Sequence, residues 1–223
     1  MAEIPAAPWH LRGPMGVVQV GLVPVEAVRP LLPAHADVVA VVPGHTLHVL
    51  AAARYEAGST LTYSELLVAP AVVRTAAGVG LFPTRLYVDD QTSLRGGHAI
   101  WSLPKELAEF EWVERTEPPQ GLFGKEGHSY ELTVRQGGVP LLEAWWMPRY
   151  LSMPYRTRLP VVSERDGKLH LWHAEASARA RLATRHLEVP AGSALAQHLP
   201  ALATTFHLAE LELDVPAPDW NSP

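Results

Sequence analysis

The sequence predicts a mainly β fold, an antiparallel barrel or sandwich with a few helices packed outside it. Three observations carry this. Twenty-one prolines and sixteen glycines punctuate the 223 residues, at intervals that break helices and favour strands joined by turns. Several short stretches alternate apolar and polar residues, the period of a half-buried strand. Helical spacing between consecutive strands is too rare for a doubly wound α/β sheet. No repeat, linker or change of composition divides the chain, so one domain over residues 1–223 is expected.

Residues 15–24 read as the first strand, and Val25 to Leu32 as a short helix that starts after Pro24 and is broken by Pro30. Thr46 to Glu56 and Leu61 to Val68 are the next strands. In the second of these Leu61, Tyr63, Glu65 and Leu67 share a face, because strand side chains alternate. Val79 to Asp90 reads as one strand ending in Asp89-Asp90, and Thr92 to Ala99 as a glycine-containing connection. Phe110 to Glu114 and Tyr130 to Arg135 follow as strands, with a turn region at Pro118-Pro119-Gln120-Gly121 between them. Gly137-Gly138 turns the chain into Val139 to Met147, and Asp166-Gly167 turns Leu159 to Ser163 into Leu169 to Arg181, two hairpin signals. Ser193 to Leu202 has helical spacing with Ser193 as N-cap. Phe206 to Val215 alternates as the last strand.

Composition excludes several classes of function. Charged residues make up 18% and the formal net charge is −5, with a pI near 6.1, whereas a nucleic-acid footprint needs a basic stripe. There is no cysteine, which removes disulfides, thiolate nucleophiles and zinc–thiolate sites and suits a reducing cytoplasm. The first thirteen residues lack the apolar core of a signal peptide. The most apolar window, Val38 to Ala53, is interrupted by Pro43, Gly44, His45 and His48, so no stretch reaches the ~18 apolar residues of a membrane helix. A soluble, cytoplasmic protein with neither nucleic-acid nor membrane partner is the expectation.

Motifs for common chemistries fail. Gly78-Val79-Gly80 lacks the third glycine of a dinucleotide fingerprint, and neither a Gly-x-Ser-x-Gly elbow nor a phosphate-binding loop occurs. His45/His48 and His170/His173 have a spacing that puts the two rings on opposite faces of a strand, so neither pair makes a natural metal clamp; turn geometry at the first pair keeps a cupin-like metal barrel as the weaker alternative.

One lysine stands out. The chain has fifteen arginines and three lysines. Lys125 and Lys168 lie in turn-like, wet settings, whereas Lys105 lies among Ile100, Trp101, Leu103 and Leu107. An apolar setting disfavours an ammonium over a free amine, and a free amine attacks carbonyl carbon where arginine cannot. The plainer account is a lysine whose stem lies on apolar neighbours while its head reaches water. Glu65, on an inward and otherwise apolar-to-aromatic face, must pair, accept hydrogen bonds or take up a proton. It suits a general acid/base, or a salt bridge to Arg54, Arg74 or Arg85 with no catalytic duty.

These residues resemble the acetoacetate decarboxylase-like superfamily. Gly97-His98-Ala99 followed by Leu103-Pro104-Lys105-Glu106-Leu107 is similar to its Gly-Arg-Glu and aromatic-Pro-Lys-Lys-Leu signature, with the glycine-to-lysine spacing kept. Leu86-Tyr87-Val88-Asp89-Asp90 resembles its Tyr-Leu-Asp-Asn element, and Tyr63-Ser64-Glu65 its Tyr-x-Glu. Arg158-Leu159-Pro160, the Asp166-Gly167 hairpin and the strand at 205–215 extend the likeness over nearly the whole chain. The resemblance implies a cone-like antiparallel β-barrel, no cofactor or metal, a homo-oligomer, Lys105 as Schiff-base lysine and Glu65 as acid/base. The departures are Glu106 for the second lysine and His98 and Ala99 for the arginine and glutamate; Arg12 is the nearest candidate for the family's first-strand arginine. The expected function is a cofactor-free Schiff-base lyase acting on a small keto acid or related carbonyl compound. Tyr63 and His98 would touch substrate, and Trp101 and Leu103 would exclude water. The alternative is a non-catalytic β-barrel that binds a small apolar or carbonyl ligand.

Overall fold

A computed structural model describes residues 3–118, 127–193, 195–196, 200 and 202–220. Fourteen strands alternate with little helix: β1 (Trp9–Pro24), β2 (Asp37–Val38), β3 (His45–Tyr55), β4 (Tyr63–Ala69), β5 (Ala71–Thr75), β6 (Gly78–Phe82), β7 (Arg85–Val88), β8 (Lys105–Leu107), β9 (Glu109–Glu117), β10 (Gly127–Gln136), β11 (Val139–Pro148), β12 (Met153–Arg165), β13 (Lys168–Glu188) and β14 (Ala203–Val215). The helices are α1 (Val25–Val28), which runs into a 3-10 turn at Arg29–Leu31, and α2 (Gln91–Trp101).

All fourteen strands join in one sheet. The main path runs β2-β5-β6-β12-β13-β14-β1-β3-β4-β7-β8, and β11, β10 and β9 branch off from β13. The expected mainly β class is what the chain adopts, antiparallel except where β6 meets β12 and β7 meets β8. The sheet curls strongly. Leu86 and Val88 of β7 share one core with Trp172, Ala174 and Ala178 of β13, five strands away along the path, and a flat sheet with strands ~4.8 Å apart cannot bring such faces together. A second core, around Met15, Val17, Leu66, Val68, Leu132, Leu142 and Trp146, fills the space between the large sheet and the β9–β11 layer. A third, under α1, gathers Val28, Leu32, Val73, Phe82 and Val162.

Turn chemistry matches the chain. Gly137 and Gly138 have φ of 57° and 79°, and Asp166 and Gly167 have 52° and 73°, the paired positive values of the hairpin turns that fit strand twist. The region read as one strand, Val79 to Asp90, is two strands separated by Pro83-Thr84, because proline removes a ladder donor. β1 begins at Trp9, earlier than expected, and pairs with β14 from its first residue. Ser193 does not open a helix among the described residues. Its hydroxyl accepts from the Leu195 amide and donates to the Leu141 carbonyl, and the chain there makes turns; parts of that segment, and most of the Pro118–Gly121 turn region, lie outside the described residues.

The largest departure positions the site. Thr92 to Ala99 is not a loop but most of α2. Asp90 accepts a hydrogen bond from the Ser93 amide at 2.6 Å, an N-cap that starts the helix. Two interior glycines should weaken it by ~1 kcal/mol each, but packing requires them. A Cβ at Gly96 would stand 2.5 Å from Cζ2 of Trp9, and one at Gly97 would strike the Lys105 stem. The helix ends at Ser102, in the left-handed conformation with φ of 50°. Parallel strands need such a crossover, and α2 supplies it between β7 and β8.

Candidate active site

Parallel pairing sets Lys105 beside Leu86, and antiparallel pairing sets Glu65 of β4 beside Val88. Because strand side chains alternate, both functional groups then face the core that holds Leu86 and Val88. Lys105 is buried, its side chain 4% exposed, and Glu65 is 14% exposed. The Lys105 Nζ donates to Glu65 Oε2 at 3.0 Å and to Ser93 Oγ at 2.9 Å. Tyr63 donates its hydroxyl to the same Glu65 oxygen at 3.2 Å. The amine also lies 4.9 Å from the Tyr63 ring centre and 5.8 Å from that of Trp9.

The walls are aromatic. Trp9 and Trp101 meet edge to face at 4.7 Å, and Tyr55 leans on Tyr63 at 5.0 Å. Trp101 donates its indole N–H to the Pro216 carbonyl, and Trp9 donates to Pro5, so each ring is fixed by a hydrogen bond as well as by packing. Burial, and then the Glu65 charge, push the phenols of Tyr55 and Tyr63 well above their usual range. Both phenols therefore stay protonated and remain donors.

The structure brings together Lys105, Glu65, Tyr63, Trp101 and Leu103, all on or in one core. It places His98 and Arg12 elsewhere. The exposed His98 donates from Nε2 to the Lys105 carbonyl at 2.7 Å, bracing the lysine's backbone instead of facing the amine. Arg12 is 66% exposed and pairs with Glu212 at 3.5 Å. Leu11, its neighbour, points into the core, so alternation turns Arg12 outward. Glu106 also points away from its neighbour: it pairs with Arg85 at 2.9 Å and accepts from Gln136 at 3.0 Å, and its charge is answered there. None of the arginines weighed as partners for Glu65 reaches it. Arg54 pairs with Glu56, Arg74 with Asp37 and Arg85 with Glu106. Lys105 is the partner instead.

Ser93, Trp9 and Tyr55 were not foreseen. Ser93 was legible through Asp90-Gln91-Thr92-Ser93, where an aspartate three residues ahead of a serine amide is a helix start. Trp9 and Tyr55 reach the site through strand pairing over long sequence distances, which leaves no local signal. Among the described residues no group of three or more His, Cys, Asp or Glu side chains is placed to hold a metal ion.

Comparison with known proteins agrees with this architecture. No curated protein sequence matches the chain. Among solved structures, the enduracididine biosynthesis enzyme MppR complexed with pyruvate superposes with a TM-score of 0.67 at 16% identity, covering 97% of this chain and 91% of that one. Acetoacetate decarboxylase from Legionella pneumophila gives 0.65 at 14%, covering 98% and 88%. An acetoacetate decarboxylase-like enzyme from Sphingomonas wittichii gives 0.57 at 13%, covering 97% and 95%. At these identities the likeness is one of fold. The sequence profile of acetoacetate decarboxylase matches residues 17–187, a span that holds both Lys105 and Glu65, and the chain belongs to the acetoacetate decarboxylase family.

Proposed function

We propose that the protein is a cofactor-free Schiff-base lyase that works on a small keto acid or related carbonyl compound through Lys105. The observation that carries this is a buried primary amine held at 3.0 Å from a carboxylate. A nucleophile within hydrogen-bond reach of its base is the arrangement covalent catalysis needs. Glu65 takes a proton from the lysine, and the Nζ lone pair attacks the carbonyl carbon to give a carbinolamine. Glu65 returns the proton to the carbinolamine oxygen, water leaves, and the nitrogen carries the positive charge of an iminium. That iminium accepts the electron pair of a C–C bond that breaks in decarboxylation or a retro-aldol step, or of an α C–H bond whose proton is lost in aldol and dehydration chemistry. Tyr63 and Ser93 hold the hydrogen-bond frame, and the Trp9, Trp101 and Leu103 walls keep bulk water from the intermediate.

The ligands bound by one structural neighbour support carbonyl chemistry. MppR is seen with pyruvate and with the condensation product of pyruvate and imidazole 4-carboxaldehyde. The test is reductive trapping: incubation with a panel of ketones and keto acids, reduction with cyanoborohydride, and peptide mapping by mass spectrometry. The expected result is an adduct on Lys105 that is lost in Lys105→Arg while the fold persists, since arginine keeps the charge but not the nucleophile. Adducts confined to Lys125 and Lys168 would refute the proposal and leave a non-catalytic ligand-binding barrel.

A further inference from the structure

Among the described residues the charges around Lys105 balance without a substrate, and no second cation faces the amine to receive another anion. The amine's neighbours are the Glu65 carboxylate, the Ser93 and Tyr63 hydroxyls and the rings of Tyr63 and Trp9. The core surrounding them is built from Leu11, Tyr55, Leu86, Val88, Trp101 and Leu103. Among the described residues every arginine of the flanking strands is committed to another anion: Arg12 to Glu212, Arg54 to Glu56 and Arg85 to Glu106. Arg54 lies on the strand face opposite Ala53 and Tyr55, and so opposite the core. The Glu65 charge, after burial, raises the pKa of both tyrosines of the site.

A keto acid bound here would bury its carboxylate beside Glu65, whose charge the one cation of the site, first ammonium and then iminium, already balances. A buried carboxylate without a cationic partner is strongly disfavoured, and a like charge close by disfavours it further. A neutral aldehyde or ketone meets neither penalty. Its flanking carbons gain the apolar and aromatic walls.

Building on the Schiff-base reading above, we infer that the site selects neutral carbonyl compounds with apolar or aromatic flanks and discriminates against keto acids. The reaction class that follows is carbon–carbon bond chemistry between neutral partners, an aldol or retro-aldol step through the Lys105 iminium and its enamine. In the forward direction the iminium loses a proton from its α-carbon to Glu65. The resulting enamine carbon bonds to a second carbonyl carbon, whose oxygen takes up a proton, and water then releases the product from the lysine.

Two matched pairs of probes test this on the full-length protein: methyl pyruvate against pyruvate, and 2-pentanone against levulinate. Each pair shares its ketone and differs in the carboxylate. Adducts are trapped with cyanoborohydride and mapped, and the neutral-to-acid ratio at Lys105 is divided by the same ratio at the exposed Lys168 to remove intrinsic reactivity. The expected corrected preference for the neutral probe is roughly 100-fold. Glu65→Gln, which removes the fixed negative charge, should slow trapping of both probes yet narrow that ratio by about tenfold. A corrected ratio near one, or below it, overturns the inference while leaving the Schiff-base reading intact. A wild-type preference that Glu65→Gln leaves unchanged overturns the electrostatic cause argued here. No adduct at Lys105 with any of the four probes overturns the Schiff-base reading and the inference with it.

Discussion

Replacing Gly97 with alanine tests how closely the helix holds the amine. A methyl group there would stand 2.7 Å from Cε of Lys105, 2.9 Å from Cγ and closer still to Cδ. Carbon atoms in ordinary contact stand about 3.5–4.0 Å apart, so the stem must retreat by roughly 1 Å. The atoms struck are the middle of the side chain, pinned below by β8 and above by the Glu65 and Ser93 hydrogen bonds. Moving Nζ by that amount takes its 3.0 and 2.9 Å bonds to about 4 Å, past the range in which a hydrogen bond survives. A displacement of this size at a reacting centre costs on the order of 100-fold in rate. Stability should change far less. Overpacking costs about 1–3 kcal/mol, and the better helix propensity of alanine returns about 1 kcal/mol of it. The assay is the initial rate of reductive trapping at Lys105, alongside urea denaturation. Gly127→Ala, where the nearest atom outside its chain neighbours is 3.9 Å away, serves as a control that should leave trapping unchanged. Wild-type trapping in a stably folded Gly97→Ala protein would refute the idea that α2 sets the amine's position.

Two further outcomes follow from the same geometry. Ser93→Ala removes one of the amine's two hydrogen-bond partners and should slow trapping by about tenfold, with about 1 kcal/mol lost in urea denaturation; a trapping rate equal to wild type would show that the hydroxyl is a bystander. His207 accepts a hydrogen bond from Trp146 at 3.2 Å, and its burial, helped by Arg181 and His128, lowers its pKa from 6.5 to about 4. The unfolded chain therefore binds a proton below pH ~6.5 that the native state refuses until pH ~4. The stability contributed by the neutral ring is complete above pH ~6.5 and declines as pH falls toward 4, by about 3 kcal/mol in all. His207→Gln should flatten that part of the pH–stability curve, and parallel curves for variant and wild type would refute the assignment.

The hairpins at Gly137-Gly138 and Asp166-Gly167, the alternation that aims Tyr63 and Glu65 along one face, and the singular setting of Lys105 were all legible in the sequence, because each is a local pattern within a few residues. Their meeting was not. Glu65 and Lys105 are forty residues apart, and only the β4–β7–β8 pairing, with α2 crossing between the two parallel strands, makes their separation 3.0 Å. The same local reasoning took Gly96 and Gly97 for a loop, since glycine propensity argues against a helix, whereas close packing against Trp9 and Lys105 is what demands glycine there. The family resemblance offered Arg12 as the first-strand arginine, and His98 was expected to touch substrate. Strand alternation turned the first toward Glu212, and the second found the Lys105 carbonyl. Which residues have the chemistry is a property of the chain. Which of them share a dry interior is settled by long-range pairing, whose energy depends on partners that no stretch of sequence contains.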